Sequence, residues 1–369
     1  MELAYWLAWA KIPQIGPVLL KRIYQRFGSL AVAWEAPDVD LLEIEGIGKQ
    51  TITGILAARQ EVDPSQILAE YQLKNPHFWT PSDPEYPKLL WEIPDPPPVL
   101  HYLGYSTAWA ERSTVGIVGT RNPSAYGRRW AQKIGKALAE HGFTVVSGLA
   151  DGVDAEAHRG CLAAQGKAIA VVGTGVDVVY PPKNQSLYQE IIKSGLVVSE
   201  YPHGTRPDRA HFPSRNRIIA GLCRATIVIE APEKSGALIT AHQANEYCRD
   251  VFALPGSLDV PQSLGCLKLI NNGAQVILGI DELISALGTM PGLDRESQIA
   301  VTQPAVQLPL LEPRQQRILE AIAFGEPMSF DRLVEIVGLP TGEVSGALLQ
   351  LELMGAIAQS PGMRYQRLV

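Results

Sequence analysis

The stretch from Thr205 to Arg224, TRPDRAHFPSRNRIIAGLCR, carries five arginines (Arg206, Arg209, Arg215, Arg217 and Arg224) against one acid, Asp208. The chain as a whole is acidic, at −6. Positive charge concentrated in an acidic protein points to a confined anion site rather than a generally adhesive basic surface. Phe212 lies among the arginines, and an aromatic beside guanidinium groups suits an anion that also carries rings. Single-stranded nucleic acid has both properties. A solvated turn leading into a helix would account for the same residues.

Other chemistry is harder to assemble. The seven histidines show no metal-ligand spacing and no H-E-x-x-H, so no metal and no cofactor are expected. His158 follows Asp154 by one helical turn, which suggests a hydrogen-bonded pair. Glu200, Glu230 and Glu233 are candidate buried acids, yet none pairs with a nucleophile, so no catalytic acid or base is assigned. The four cysteines, Cys161, Cys223, Cys248 and Cys266, include no C-x-x-C pair. They offer neither a zinc site nor a disulfide framework and fit a reducing cytosol.

These residues need elements to hold them. Apolar, β-branched runs recur at 114–119, 143–148, 167–173, 195–200, 225–231, 250–256 and 274–279, and helical segments separate most of them. Continuous apolar strands joined by helices predict a mostly parallel sheet covered on both faces. In such sheets the ligand lies beyond the carboxyl ends of the strands. Those ends read Gly119-Thr120-Arg121, Ser147-Gly148 followed by Asp151-Gly152, Gly173-Thr174-Gly175, Glu200 to Gly204, and Ser235-Gly236. Glycine lets backbone N–H groups approach a phosphate, and helix N-termini add a favourable dipole. Any one of these glycines taken alone reads better as an ordinary strand-to-helix turn. The first turn, GTRNPSAYG, is not G-x-G-x-x-G, and no G-x-x-x-x-G-K-[ST] occurs, so neither a dinucleotide nor a P-loop ATPase is expected.

The sequence divides into four parts. Residues 1–75 read as short helices with glycine breaks, and LLEIEGIGKQTITGILAARQ resembles a helix-hairpin-helix unit of a SAM-like bundle. The apolar start, MELAYWLAWAKIPQIG, has no basic leader segment and reads as a buried helix. Residues 76–288 hold the Rossmann-like sheet behind a proline-rich segment, 76–110, expected to wrap along it as a connector. Residues 289–310 read as a linker. Residues 311–369 resume as three helices and a wing around Ser360-Pro361-Gly362, a winged-helix pattern. Its last helix offers few donors for base edges, which favours a protein contact there over DNA reading. No run of about 18 apolar residues exists, so no membrane span is expected.

Taken together, IVGTRNPSAYG (117–127), VVSGLADGVDAEAH (145–158), AVVGTGVDVVYPPKNQSLY (170–188), SEYPHGTRPDRAHFPSRNRIIAGLCRATIVIEA (199–231), SGALITAHQANEYCRDVFALPG (235–256) and GCLKLINNGA (265–274) resemble the DprA/Smf family of DNA-processing proteins. The resemblance covers nearly the whole chain. It implies a cytoplasmic, non-catalytic protein that binds single-stranded DNA, helps load RecA in natural transformation, and forms a homodimer. It also implies phosphate contact at Gly119, Thr120 and Arg121, phosphate contact and base stacking at Arg209 and Phe212, a shared block at Arg215, Asn216 and Arg217, and pocket lining by Ser147, Gly148, Ser235 and Gly236. Arg209 and Arg215 are the expected phosphate ligands, while Arg224 is expected to cap its own helix.

Two other readings stand beside this one. The sheet also resembles the lysine-decarboxylase-like nucleotide phosphoribohydrolases, but EAPEKSGALITAHQANE lacks their double glycine and the spacing to the acid. A protein-interaction scaffold with vestigial nucleotide affinity is the third.

Overall fold

The computed structural model describes residues 2–105, 113–288, 311–322, 328–354, 356–360 and 363–367. The chain divides into two compact units, 1–295 and 296–369. The expected linker, 289–310, lies outside the described residues.

The first unit opens with six helices: α1 Glu2–Ala10, α2 Pro17–Phe27, α3 Leu30–Glu35, α4 Asp38–Leu42, α5 Lys49–Glu61 and α6 Pro64–Lys74. Glycine and proline punctuate them. Gly28 closes α2 in the left-handed region at φ 71°, and Pro17 and Pro64 start helices where a missing N–H costs nothing. Their apolar faces meet around Trp6, Trp9, Leu20, Ile23, Trp34 and Ile55. Lys21 ties the bundle to the proline-rich segment, its Nζ donating to the carbonyls of Trp91 (2.7 Å) and Ile93 (2.8 Å).

Then come β1 Phe78–Trp79, α7 Lys88–Glu92, β2 Leu100–Gly104, β3 Thr114–Val118, α8 Ala125–Glu140, β4 Thr144–Ser147, α9 Val153–Ala163, β5 Ala168–Val171, α10 Gln185–Ser194 and β6 Leu196–Ser199. The remainder is α11 His211–Leu222, β7 Ala225–Val228, α12 Gly236–Glu246, β8 Asp250–Ala253, α13 Leu264–Asn271, β9 Gln275–Val276 and α14 Ile280–Leu287. The nine strands form one sheet in the order β1-β2-β6-β5-β4-β3-β7-β8-β9. From β6 through β9 all neighbours are parallel. Strands β3 to β7 are buried throughout, as their unbroken apolar sequences require. Helices α8, α9, α10 and α14 cover one face, and α7, α11, α12 and α13 the other.

The proline-rich segment does more than wrap. It adds β2 antiparallel to β6, with His101 opposite Ser199, and β1 antiparallel to β2. The prolines end at Pro98, so β2 keeps its N–H groups for the ladder, and antiparallel pairing at an edge needs no crossover helix.

The second unit contains α15 Pro313–Ala321, β10 Met328–Ser329, α16 Phe330–Val337, α17 Thr341–Leu353, β11 Ile357–Ser360 and β12 Arg364–Arg367. Strands β11 and β12 make the wing, and β10 joins β12 as a third strand. Pro361 and Gly362, at the expected wing tip, lie outside the described residues. Two polar groups of the last helix are held within this unit: Glu343 pairs with Arg314 at 3.0 Å, and Gln350 accepts from Gln315 at 2.8 Å.

Candidate nucleic-acid interface

Strand order reverses at β3. The chain runs from β3 through β4 and β5 to β6 on one side, then returns to β7 on the other. A doubly wound sheet opens a crevice at such a point because successive helices leave in opposite directions. Here the crevice is a cleft of about 370 Å³ lined by Gly119, Thr120, Arg121, Asp154, Phe212, Arg215, Asn216, Lys234, Ser235 and Gly236, among others. A smaller recess of about 40 Å³ adjoins it and shares Arg121, Phe212 and Arg215.

One wall is the turn after β3. The Thr120 N–H donates to the Glu230 carbonyl at 2.7 Å. The buried Glu230 carboxylate accepts from the backbone and hydroxyl of Ser124 at 2.8 and 2.5 Å. Ser124 in turn caps α8 by accepting from the Gly127 N–H at 3.1 Å. A Cβ at Gly119 would stand 2.6 Å from Val153, so the turn packs tightly on α9. Arg121, carried on this fixed turn, is exposed and forms no ion pair with a described residue. Its Cζ lies 5.5 Å from the Phe212 ring centroid, within cation–π range.

The floor is charged and buried. Arg215 is 4% exposed, and its Nη1 donates to the Gly148 carbonyl at 2.6 Å and to that of Val171. Asp154, also buried, accepts from the Gly148 and Ala150 N–H groups at 3.1 and 3.4 Å. Burial pushes the Asp154 carboxyl up, opposed by Arg215 and these N–H groups. Burial also draws Arg215 down to about 10, while Asp154 holds it up. The opposite wall is the start of α12, where the Ser235 hydroxyl accepts from the Ala237 N–H and Asn216 reaches the Gly236 carbonyl at 3.3 Å. A helix N-terminus, a free guanidinium and an aromatic face thus border one opening.

Known proteins resemble this chain over most of its length. A family model described as DNA recombination-mediator protein A matches residues 77–288, and the DprA winged helix domain model matches 302–363. Protein Smf of Synechocystis is 49% identical over 99% of both chains. The chain belongs to the DprA/Smf family. Within that family, the DNA processing protein DprA of Bacillus subtilis is 41% identical, covering 60% of this chain and 75% of its own. The X-ray structure of DprA from Streptococcus pneumoniae superposes with TM-score 0.67 at 35% identity, covering 78% of this chain and 97% of that one. DNA processing protein A of Helicobacter pylori, studied for its single-stranded DNA binding mode, superposes at TM-score 0.53 and 33% identity over 57% of this chain and 95% of its own.

This member of the family sorts the expected site residues into separate places. Gly119, Thr120, Arg121, Phe212, Arg215, Asn216, Ser235 and Gly236 line the main cleft, and Gly148 borders the recess. Ser147 is fully buried and donates to the Ile117 carbonyl at 2.6 Å, so it faces the sheet. Arg217 points away, because α11 puts it on a different face from Arg215. It is bound by Asp95 at 3.1 Å and Glu200 at 2.5 Å. Arg209 is exposed in the loop before α11 and lines neither cavity. Arg224 donates to the Leu287 carbonyl at 2.7 Å, at the end of α14, and to the Ser113 hydroxyl at 3.1 Å. The Asp154–His158 pair does not form. Asp154 turns to the backbone of the β4 turn, and both His158 ring nitrogens are buried without a hydrogen bond.

Two cleft residues escaped the sequence reading. Lys234 lines the cleft beside Ser235, and its place in EAPEKSG, directly before a glycine-started helix, was the available signal. Tyr180 borders the recess with its ring 5.7 Å from Phe212. It lies 32 positions before Phe212, so nothing local in the sequence connects them.

Proposed function

We propose that this chain binds single-stranded DNA in the cleft between β3 and β7 without catalysing a reaction on it. The observation that carries the reading is Arg121: an unpaired guanidinium on a rigid turn, against the half-buried ring of Phe212, beside the α12 N-terminus. Phosphate meets the guanidinium and the helix end, and a base stacks on the ring. A paired base inside a duplex offers no free face to Phe212. The relative from Helicobacter pylori, with its single-stranded DNA binding mode, supports single-stranded DNA as the ligand.

The nearby carboxylates support a non-catalytic role. Glu230 is held by Ser124, Glu200 by Arg217 and Asp154 by two backbone N–H groups, and Glu233 is exposed and paired with Lys268 at 2.9 Å. None is poised to move a proton at the cleft mouth. Family membership extends the proposal to a cytoplasmic homodimer that sets two clefts side by side and passes the strand to RecA, with the winged helix open to a further protein partner. Among the described residues, no helix is long and apolar enough to cross a membrane.

Fluorescence anisotropy with a labelled single strand and a duplex of equal length tests the proposal. Tighter binding of the single strand is expected, and equal or tighter duplex binding overturns it. Release of free base from nucleoside monophosphates would instead establish a hydrolase.

A further inference from the structure

Helix α8 starts three residues beyond Arg121's neighbour Asn122, directly at the cleft, and its outer face has no role so far. Its sequence, AYGRRWAQKIGKALAE, holds four basic residues and one acid. Ala131, Ile134 and Leu138 face the core. Tyr126, Arg129, Lys133 and Lys136 recur every three or four residues and share one exposed stripe. Trp130 lies beside it, half-buried.

The stripe alternates charge and ring. The Arg129 guanidinium lies 5.8 Å from the Tyr126 ring, and the Lys133 ammonium 4.9 Å from the Trp130 ring. The two rings stand 6.1 Å apart at 59°. Tyr126 is pinned by its hydroxyl, which donates to the Pro255 carbonyl at 3.1 Å, and its ring stays 36% exposed. Arg129 and Lys133 form no ion pair with a described residue, and Lys136 has only Glu140, one turn away at 3.6 Å. An acidic protein that keeps cations unpaired beside ring faces has a surface suited to a polyanion with bases, and this one continues from the proposed cleft.

We propose that α8 is a second single-stranded DNA subsite, a track that carries the strand away from the cleft along Tyr126, Arg129, Lys133 and Lys136. It rests on the single-strand reading of the cleft. The stripe from Tyr126 to Lys136 spans about 15 Å at 1.5 Å per residue, room for two or three extended nucleotides. Arg129, Lys133 and Lys136 meet phosphates, while Tyr126 and the open edge of Trp130 meet bases.

The test compares the full chain with Lys133→Glu/Lys136→Glu, two exposed changes that leave the core intact. Each is titrated with oligothymidylates of about 6 and about 20 nucleotides, the short one filling the cleft alone. The reversal is expected to weaken the long strand at least tenfold, spare the short one, and flatten the long strand's salt slope by about 1.4 for two lost phosphate contacts. Unchanged long-strand affinity, or an equal loss on both lengths, overturns the track. Equal loss on a duplex overturns its single-strand character, and loss confined to polyglutamate assigns the face to an acidic protein instead. In all these cases Arg121→Ala still weakens both lengths if the cleft reading holds, and failure of that control marks failure of the cleft.

Discussion

Arg215 runs beneath Gly148, donating to its carbonyl at 2.6 Å, and a Cβ at Gly148 would sit 2.6 Å from the Arg215 Cζ. The arginine and the glycine therefore form one unit. Arg215 joins the ends of β4 and β5 by bonding Gly148 and Val171, and Gly148 leaves the space that this requires. The same N–H row binds Asp154, which balances the buried charge. Arg215 lines the cleft, but its hydrogen bonds go to the protein, so it acts chiefly by positioning the floor.

Gly148→Ala is expected to destabilise the protein by about 1–3 kcal/mol, the usual cost of overpacking a filled site. Urea unfolding measures it. An unchanged midpoint would show that the guanidinium can move aside.

Arg215→Met is expected to cost more, because it breaks the bonds to the Gly148 and Val171 carbonyls and removes a positive charge that favours the buried Asp154 carboxylate. The double variant Arg215→Met/Asp154→Leu should recover a large part of that loss. Absence of recovery in denaturant unfolding would show that the two charges are not coupled.

Arg217→Ala separates structure from binding. It strands Glu200, which sits 16% exposed against the arginine, and should lower stability by a comparable few kcal/mol. Single-strand affinity of the folded protein should stay within about twofold, since 1.4 kcal/mol corresponds to tenfold and no contact is lost. A large affinity loss with intact folding would return Arg217 to the site.

Acid should weaken the fold in a defined window. Burial draws His158 down to about 3 and His101 to about 4, both from 6.5. Between pH 6.5 and about 4 the unfolded chain takes up protons that the folded chain refuses, so stability falls with pH. Each histidine contributes a slope of up to about 1.4 kcal/mol per pH unit. Asp154 works with the opposite sign, because its raised carboxyl takes a proton first in the folded state as pH falls. Chemical unfolding across this range should show a shallower pH dependence for His158→Leu than for the parent chain.

The sheet was legible because its strands are apolar along their whole length and its helices carry one apolar stripe each. All seven parallel strands lie within the expected runs. Strand β2, second from the edge, was not, because four prolines just before it suggested an irregular path and antiparallel pairing leaves no periodic mark. In the site, the Gly119-Thr120-Arg121 turn was readable from strand-end position alone. The arginines of α11 were not separable in the sequence, since which of Arg215 and Arg217 faces the cleft depends on the helix's rotation. Arg217's partners lie at unequal distances in the chain, Glu200 17 positions before it and Asp95 more than a hundred, so no single local pattern marks them.

Phe212→Leu keeps an apolar side chain but removes the stacking face. It should weaken single-strand binding by about 1–3 kcal/mol and leave duplex binding nearly unchanged. Equal losses in paired titrations would remove base stacking from the account.

The most direct measurement is the salt dependence of single-strand binding by Arg121→Ala against the parent chain. Arg121 is exposed and unpaired, so the change leaves folding intact. The account predicts weaker binding and a log–log salt slope shallower by about 0.7, the release from one phosphate contact on a single strand. Unchanged affinity with an unchanged slope would contradict the assignment of the β3–β7 cleft as the DNA site.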